Sequence, residues 1–351
     1  FRNAANRPFF ALFESLYPWN GRRWLQVNIN RLQSEALIGS HDFSEGKVFE
    51  LSTAVSNNFF KDYTQEDVKL ARLRMGHILS DGEPILHPIP IEAHLAQIGA
   101  WMTDQRPCIL GARPGLSLDP TSDGLIYLLQ PTRVIARKRI ARNWHLIGAL
   151  LQHPPFRSAF EQNPHLQVVL HITGPTPIEH QTDLERVLRA YSDVLTSAPE
   201  VAADRLFLAF SVGNETHPSF REKGFARLTI EDIYRMATAV VFPSETEGRG
   251  LPIVESSACG VPIICSRYHP EAVFAGVVGE HLPPEQQIHY TLFPEGAFTA
   301  DFLDEVTDLL LHPGKNRERI AHNRAAVRGR YSRRVLRDTF EQYLATLRTI
   351  R

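Results

Sequence analysis

Cysteine is scarce. Cys108, Cys259 and Cys265 are the three in 351 residues, and their spacing makes neither a disulfide framework nor a Cys-x-x-Cys metal site. A reducing, cytoplasmic compartment is the expectation. No apolar run reaches the roughly 18–20 residues that a membrane-spanning helix needs; the greasiest stretches, 168–172 and 240–242, are strand-sized. Net charge is also lacking, with 38 basic against 39 acidic side chains. With 43% hydrophobic residues, that balance excludes a disordered chain. No G-x-G-x-x-G follows an expected strand, which argues against a dinucleotide-dependent oxidoreductase. A G-x-S-x-G nucleophile elbow is missing too, so a serine hydrolase of that kind is excluded. Zinc-finger spacing, a helix-turn-helix signal and an RNP-like pattern are all wanting, and nucleic acid is not an expected partner. The chain opens at Phe1 with neither Met nor a signal-peptide pattern, and reads as a segment of something larger.

What is present is length for two globular domains and an alternation of short apolar runs with helix-sized amphipathic stretches. That alternation predicts α/β architecture with a parallel sheet. Residues 36–40 (ALIGS) read as a buried strand ending at His41-Asp42, and 47–54 as another. Residues 55–63 follow with a Ser-Asn-Asn cap signal. Residues 84–90 (PILHPIP) should be extended, because proline disfavours helix at the residue before it. The Pro/Gly/Ser/Asp stretch 113–123 is the best linker. Strands are then expected at 124–130, 166–174, 205–210, 239–243 and 261–266, with helices at 139–152, 183–195, 229–238 and after 247. Such a series makes one doubly wound domain. Residues 316–351 read as mostly helix. From Lys315 onward there are eleven basic and three acidic residues, so the preceding chain carries a net charge of −9. That basic tail could suit an anionic surface, but a solvated amphipathic helix is the preferred reading.

Residues 242–266 (FPSETEGRGLPIVESSACGVPIICS) carry the chemistry. A strand ends in a turn holding Gly248 and Gly250, and a helix starts near Leu251-Pro252. Proline in a helix's first turn loses no hydrogen bond. The amides of Arg249, Gly250 and Leu251 would point outward at a helix N-terminus, a ready anion site. In doubly wound sheets, ligands sit beyond the carboxyl ends of the strands, where this turn lies. Glu247 stands at the turn and Glu255 eight positions later. Two carboxylates beside an anion site make sense for a ligand that also presents hydroxyls, such as a phosphorylated sugar or a nucleotide.

This segment resembles the E-x7-E signature of retaining GT-B glycosyltransferases, most closely glycosyltransferase family 4. Glu247, Gly248, Gly250, Leu251, Pro252, Glu255, Ala258, Gly260 and Pro262 fall at matching places. Arg249 departs from the pattern, standing where an aromatic residue is usual; it adds a positive charge near the donor or points to solvent. Residues 128–140 (LLQPTRVIARKRI) are similar to the family's opening strand and loop, which ends in Arg-x4-Lys. Arg133 and Lys138 would then grip a donor diphosphate. Physically, two phosphates need cations, with Arg forking onto oxygens and Lys acting as a point charge; Arg137 and Arg139 are the alternatives. Residues 166–174 resemble the next family strand, with Gly174 at its end, and 205–213 the segment facing the nucleobase. Residues 38–43 (IGSHDF) resemble the strand end where a His faces the donor sugar; His41 reads equally as a capping or packing histidine.

The resemblance implies two Rossmann-like doubly wound domains. Residues 1–120 would form an acceptor-side domain lacking its start, 121–315 a nucleotide-sugar-binding domain, and 316–351 a basic helix crossing back to the first. The implied reaction moves a hexose from a UDP- or GDP-linked sugar to an acceptor hydroxyl with retention. Glu247 would bind donor-sugar hydroxyls and Glu255 ribose hydroxyls, while Arg133, Lys138 and the amides of Gly248, Arg249, Gly250 and Leu251 hold the departing diphosphate. Neither cofactor nor metal is expected, since no D-x-D occurs and the cations would replace it. The acceptor (saccharide, lipid-linked or small molecule) is left open, as is peripheral membrane or larger-chain association. The competing reading is a non-catalytic nucleotide-sugar-binding or assembly module.

Overall fold

The structure is a computed structural model that describes residues 25–41, 43–80, 85–86, 95, 107–174, 178–213, 224 and 226–349. The chain divides into two compact units, residues 1–55 with 330–351, and residues 56–329.

In the first unit, β1 (Gln26–Asn28) and β2 (Val48–Glu50) pair in parallel, joined by the helix Arg31–His41. That helix occupies the stretch expected as a strand at 36–40. A four-residue apolar run fits a strand or a buried helix segment equally, and local bonds decide it. Asn30 Oδ1 accepts from the Gln33 amide at 3.0 Å, and Arg31 reaches Glu35 one turn on at 2.7 Å. His41 therefore closes a helix rather than ending a strand; its side chain and Asp42 lie outside the described residues. The helix Arg333–Thr349 belongs to this unit, where Tyr343 donates to the Glu50 carbonyl and packs on Phe49.

The second unit is built on an eight-stranded sheet. Its strands are β3 (Ile85–Leu86), β4 (Cys108–Gly111), β5 (Leu125–Gln130), β6 (Gln167–Thr173), β7 (Leu206–Ser211), β8 (Ala239–Phe242), β9 (Ile263–Cys265) and β10 (Thr291–Leu292). They run in the order β10-β9-β8-β5-β6-β7-β4-β3. The five expected strands of the doubly wound series are β5 to β9, all parallel. The sheet is mixed, because β4 pairs antiparallel with β7, Leu110 opposite Leu208. Of the expected extended stretch 84–90, residues 85–86 form β3 and the others lie outside the described residues. Residues 55–63 form only a short 3-10 turn, Asn57–Phe60, capped by Ser56.

The apolar strands alternate to cover both faces of the sheet. Ile126, Leu128, Leu170 and Leu208 join Trp144, Leu188 and Tyr191 in one cluster. Tyr127, Leu129, Val169 and Phe207 lie between them in sequence and are as deeply buried, as expected of a parallel sheet with helices on both sides. Beneath the strand ends a polar chain crosses β5, β6 and β7: Tyr127 Oη meets His171 Nδ1, and His171 Nε2 lies 2.8 Å from Ser211 Oγ. Burial pulls the His171 imidazole down to about 3, so it stays neutral.

The strand order reverses between β5 and β8. Chain leaving β5 goes on to β6 and β7 on one side, while β8, β9 and β10 lie on the other. Loops leaving β5 and β8 thus border the crevice where doubly wound sheets take ligands. Gln130, Thr132 and Asn143 pin the first loop through side-chain bonds of 2.8 and 2.9 Å.

The helix Ile230–Met236, which leads into β8, is held by a capping box between Thr229 and Asp232. Asp232 also accepts from Tyr63 Oη at 2.5 Å and lies 3.7 Å from Arg74 Nη2. Asp232→Ala removes the cap and strands those donors, so it is expected to lower unfolding free energy in urea by at least about 2 kcal/mol. Asp232→Asn keeps an acceptor and should cost less.

Candidate active site

The loop after β5 runs through Arg133 to a 3-10 turn, Ala136–Lys138, and a left-handed Arg139 (φ 47°) before the helix Ala141–Gln152. From β8 the chain passes Ser244 and Glu247 into the helix Leu251–Cys259, whose N-cap is Gly250. The two loops are tied together. The Glu245 amide donates to the Arg137 carbonyl at 2.8 Å, and Arg137 Nη1 donates to the Thr246 carbonyl at 2.5 Å.

At their junction Lys138 Nζ donates to Glu247 Oε1, with the two side chains only 9% and 10% exposed. The same oxygen accepts from Ser244 Oγ at 2.5 Å, and Arg137 lies 3.5 Å from Oε2. Burial pulls the Lys138 ammonium below the usual lysine range; Glu247 opposes that, while Arg137 and Arg133 reinforce it. Lys138 also sits 5.4 Å over the Phe242 ring. A buried pair costs desolvation and needs this many partners to persist.

Gly250 is buried at φ 57°, and a Cβ there would collide with the Tyr268 hydroxyl. Only glycine suits both demands. Gly248 and Arg249 are exposed, and a Cβ on Gly248 would meet nothing. Pro252 at the second helical position has no N–H to offer, and the Ile253 amide is turned back onto the Gly250 carbonyl at 3.0 Å. Leu251 at the first position supplies the outward-facing type of amide that anions use. Gly174 follows β6 at φ 139°, where a Cβ would lie 2.9 Å from the Thr132 carbonyl carbon. That close approach accounts for its glycine in steric terms.

Glu255 lies one turn into the same helix, with Oε2 accepting from Tyr234 Oη at 2.7 Å. Burial pushes its carboxyl up to about 7; the Tyr234 bond works against this and Glu231 adds to it. Glu247, Lys138 and Gly250 are thus brought together at the β5–β8 reversal, and Glu255 lies along the helix that starts there. Arg133 is exposed on the first loop. His41 belongs to the other unit. Ser244 and Tyr234 went unmarked in the sequence. Ser244, three residues before Glu247, could have been found as a local donor; Tyr234 gave no signal linking it to Glu255.

Residues 120–311 match the family described as glycosyl transferases group 1. The chain belongs to that family. This bears out the resemblance to glycosyltransferases. A D-inositol 3-phosphate glycosyltransferase of Actinosynnema mirum is 34% identical over 97 residues, 27% of this chain and 20% of the relative. The O-antigen chain mannosyltransferase B of Escherichia coli is 47% identical over 51 residues, 14% of this chain and 13% of that one. Among solved structures, Anabaena HepE in complex with UDP and glucose has a TM-score of 0.52 at 12% identity, covering 92% of this chain and 63% of that one. A Rickettsia africae glycosyltransferase gives 0.52 at 12%, covering 93% and 65%. The chain thus spans less than two thirds of these solved relatives, and the fold shared with them is that of GT-B glycosyltransferases. Among the described residues, no helix of this group 1 chain is long and apolar enough to cross a membrane.

A carboxyl held near 7 in the folded state and near its ordinary 4.5 when unfolded supports folding fully below 4.5, and that support is lost as pH rises through 7. Glu255→Gln should therefore match the parent in stability at pH 4 and exceed it at pH 8 by on the order of 1–3 kcal/mol in denaturant titrations.

Proposed function

We propose that this chain carries the donor site of a retaining, metal-independent hexosyltransferase of the family 4 type, acting in the cytoplasm on a UDP- or GDP-linked sugar. The observation that carries this reading is the tied pair of loops at the β5–β8 reversal. There a buried lysine and carboxylate meet beside a glycine-capped helix N-terminus. A diphosphate at that N-terminus would gain the amides of Gly248, Arg249, Gly250 and Leu251 together with Arg133 and Lys138. These groups stabilise negative charge on the departing nucleotide, and each such contact is worth about 2.7–4 kcal/mol in the transition state. Glu247, already oriented by Ser244 and Lys138, accepts from donor-sugar hydroxyls as the sugar passes through an oxocarbenium-like state. Glu255 accepts from the ribose, and Gly174 admits the donor at the end of β6. The acceptor is a sugar, lipid-linked or small-molecule hydroxyl.

Calorimetric titration with UDP, GDP and ADP in EDTA tests the site. One of them should bind saturably without metal. Arg133→Ala, Lys138→Ala and Glu255→Ala should each weaken it by about 10- to 100-fold, the loss of one charge-assisted hydrogen bond. Arg133→Ala should leave stability unchanged because its side chain is exposed, whereas Lys138→Ala should lower it by leaving Glu247 with Ser244 and a distant Arg137. Unchanged affinity in all three variants would refute the assignment.

A further inference from the structure

The helices Ile230–Met236 and Leu251–Cys259 pack side by side, and Tyr234 stands between them with no exposed surface. Its ring is fixed edge-on by Phe59 at 5.9 Å, and its hydroxyl ends on Glu255 Oε2 at 2.7 Å. The surroundings of that carboxylate otherwise disfavour its charge. Glu231 lies one turn before Tyr234 and adds a negative field. Cys259, one turn beyond Glu255, holds its Sγ 3.9 Å from the Glu231 carbonyl, and burial pushes its thiol above the usual range. The cations nearest Cys259 are engaged elsewhere. Arg235 donates to the Asn58 and Lys61 carbonyls, and Arg324 to the carbonyls of Ala258, Phe60 and Lys61.

We propose that Tyr234 is a positioning residue for the donor site, its buried hydroxyl turning the Glu255 carboxylate so that it can accept from ligand hydroxyls. This rests on the reading that Glu255 meets the donor. A carboxylate accepts hydrogen bonds on up to four lone-pair sites, and one fixed donor sets the plane in which the others lie. Charge matters as well as angle, because a protonated carboxyl loses acceptor capacity. Burial alone would keep this group protonated near neutrality, and among the described residues Tyr234 is the one neighbour acting to lower its pKa. Nucleotide binding should accordingly weaken as pH falls below about 7.

Tyr234→Phe keeps the buried ring and removes the oxygen, and Glu231→Gln removes the negative neighbour. In chain labelled with 13C at glutamate carboxyls, the Glu255 signal is identified by its loss in Glu255→Gln. Its titration midpoint should rise by about one unit in Tyr234→Phe and fall in Glu231→Gln. Calorimetry across pH 6–9 with UDP, GDP and ADP should show the same displacements in affinity, so that Tyr234→Phe binds several-fold more weakly at pH 7 and recovers only in part by pH 9, the remaining loss being the orientation that the hydroxyl supplied. A midpoint unmoved in both variants overturns the inference. Moved midpoints without any displacement in affinity, where Glu255→Gln does weaken binding, overturn it while sparing the donor-site reading. If Glu255→Gln leaves affinity and its pH dependence untouched, or none of the three nucleotides binds, the reading fails and the inference with it.

Discussion

The buried ion pair between Lys138 and Glu247 is the interaction on which the rest of the site depends. Neither charge is stable alone in that position. The ammonium is pulled toward neutrality by burial, and the carboxylate keeps its place through Lys138, Ser244 and the more distant Arg137. Such pairs are weak evidence of stability, since packed apolar side chains would often serve as well. Their use is geometric. The pair fixes one loop against another at the crevice where the proposed donor diphosphate would sit.

The sheet makes that pairing available. Reversal of strand order between β5 and β8 places two loops side by side although 109 residues separate Lys138 from Glu247. β5 and β8 are parallel, so both loops leave at the same end of the sheet. Each loop is then shaped by local means: Gln130, Thr132 and Asn143 after β5, and a glycine-capped helix after β8. Tyr268 closes from below on Gly250, which explains why the turn needs glycine there and tolerates an open Gly248. Burial around this end raises one carboxyl, Glu255, as it lowers the Lys138 ammonium. Displaced ionisations clustered at one crevice are what functional sites require.

Some of this was legible in the sequence and some was not. The central strands announced themselves because both faces are buried, so each reads as an unbroken apolar run between turn residues. The glycines and proline around Gly248–Pro252 were legible for a related reason, since backbone geometry restricts which residues fit. The run ALIGS misled, because its four apolar positions fit helix and strand alike until Asn30 and Glu35 are seen to close a helical turn. β3 is two residues long, and at that length its pairing with β4, not periodicity, defines a strand. Tyr234 was illegible for the same reason: its hydroxyl meets Glu255 only because two helices pack, and no local pattern records that.

The decisive measurement is a crystal structure of the chain grown with UDP. The diphosphate should lie at the N-terminus of helix Leu251–Cys259, within hydrogen-bonding distance of the Leu251 amide and of Arg133 and Lys138, with ribose hydroxyls on Glu255. A nucleotide seated elsewhere, with the Lys138–Glu247 pair remote from it, would refute this donor site.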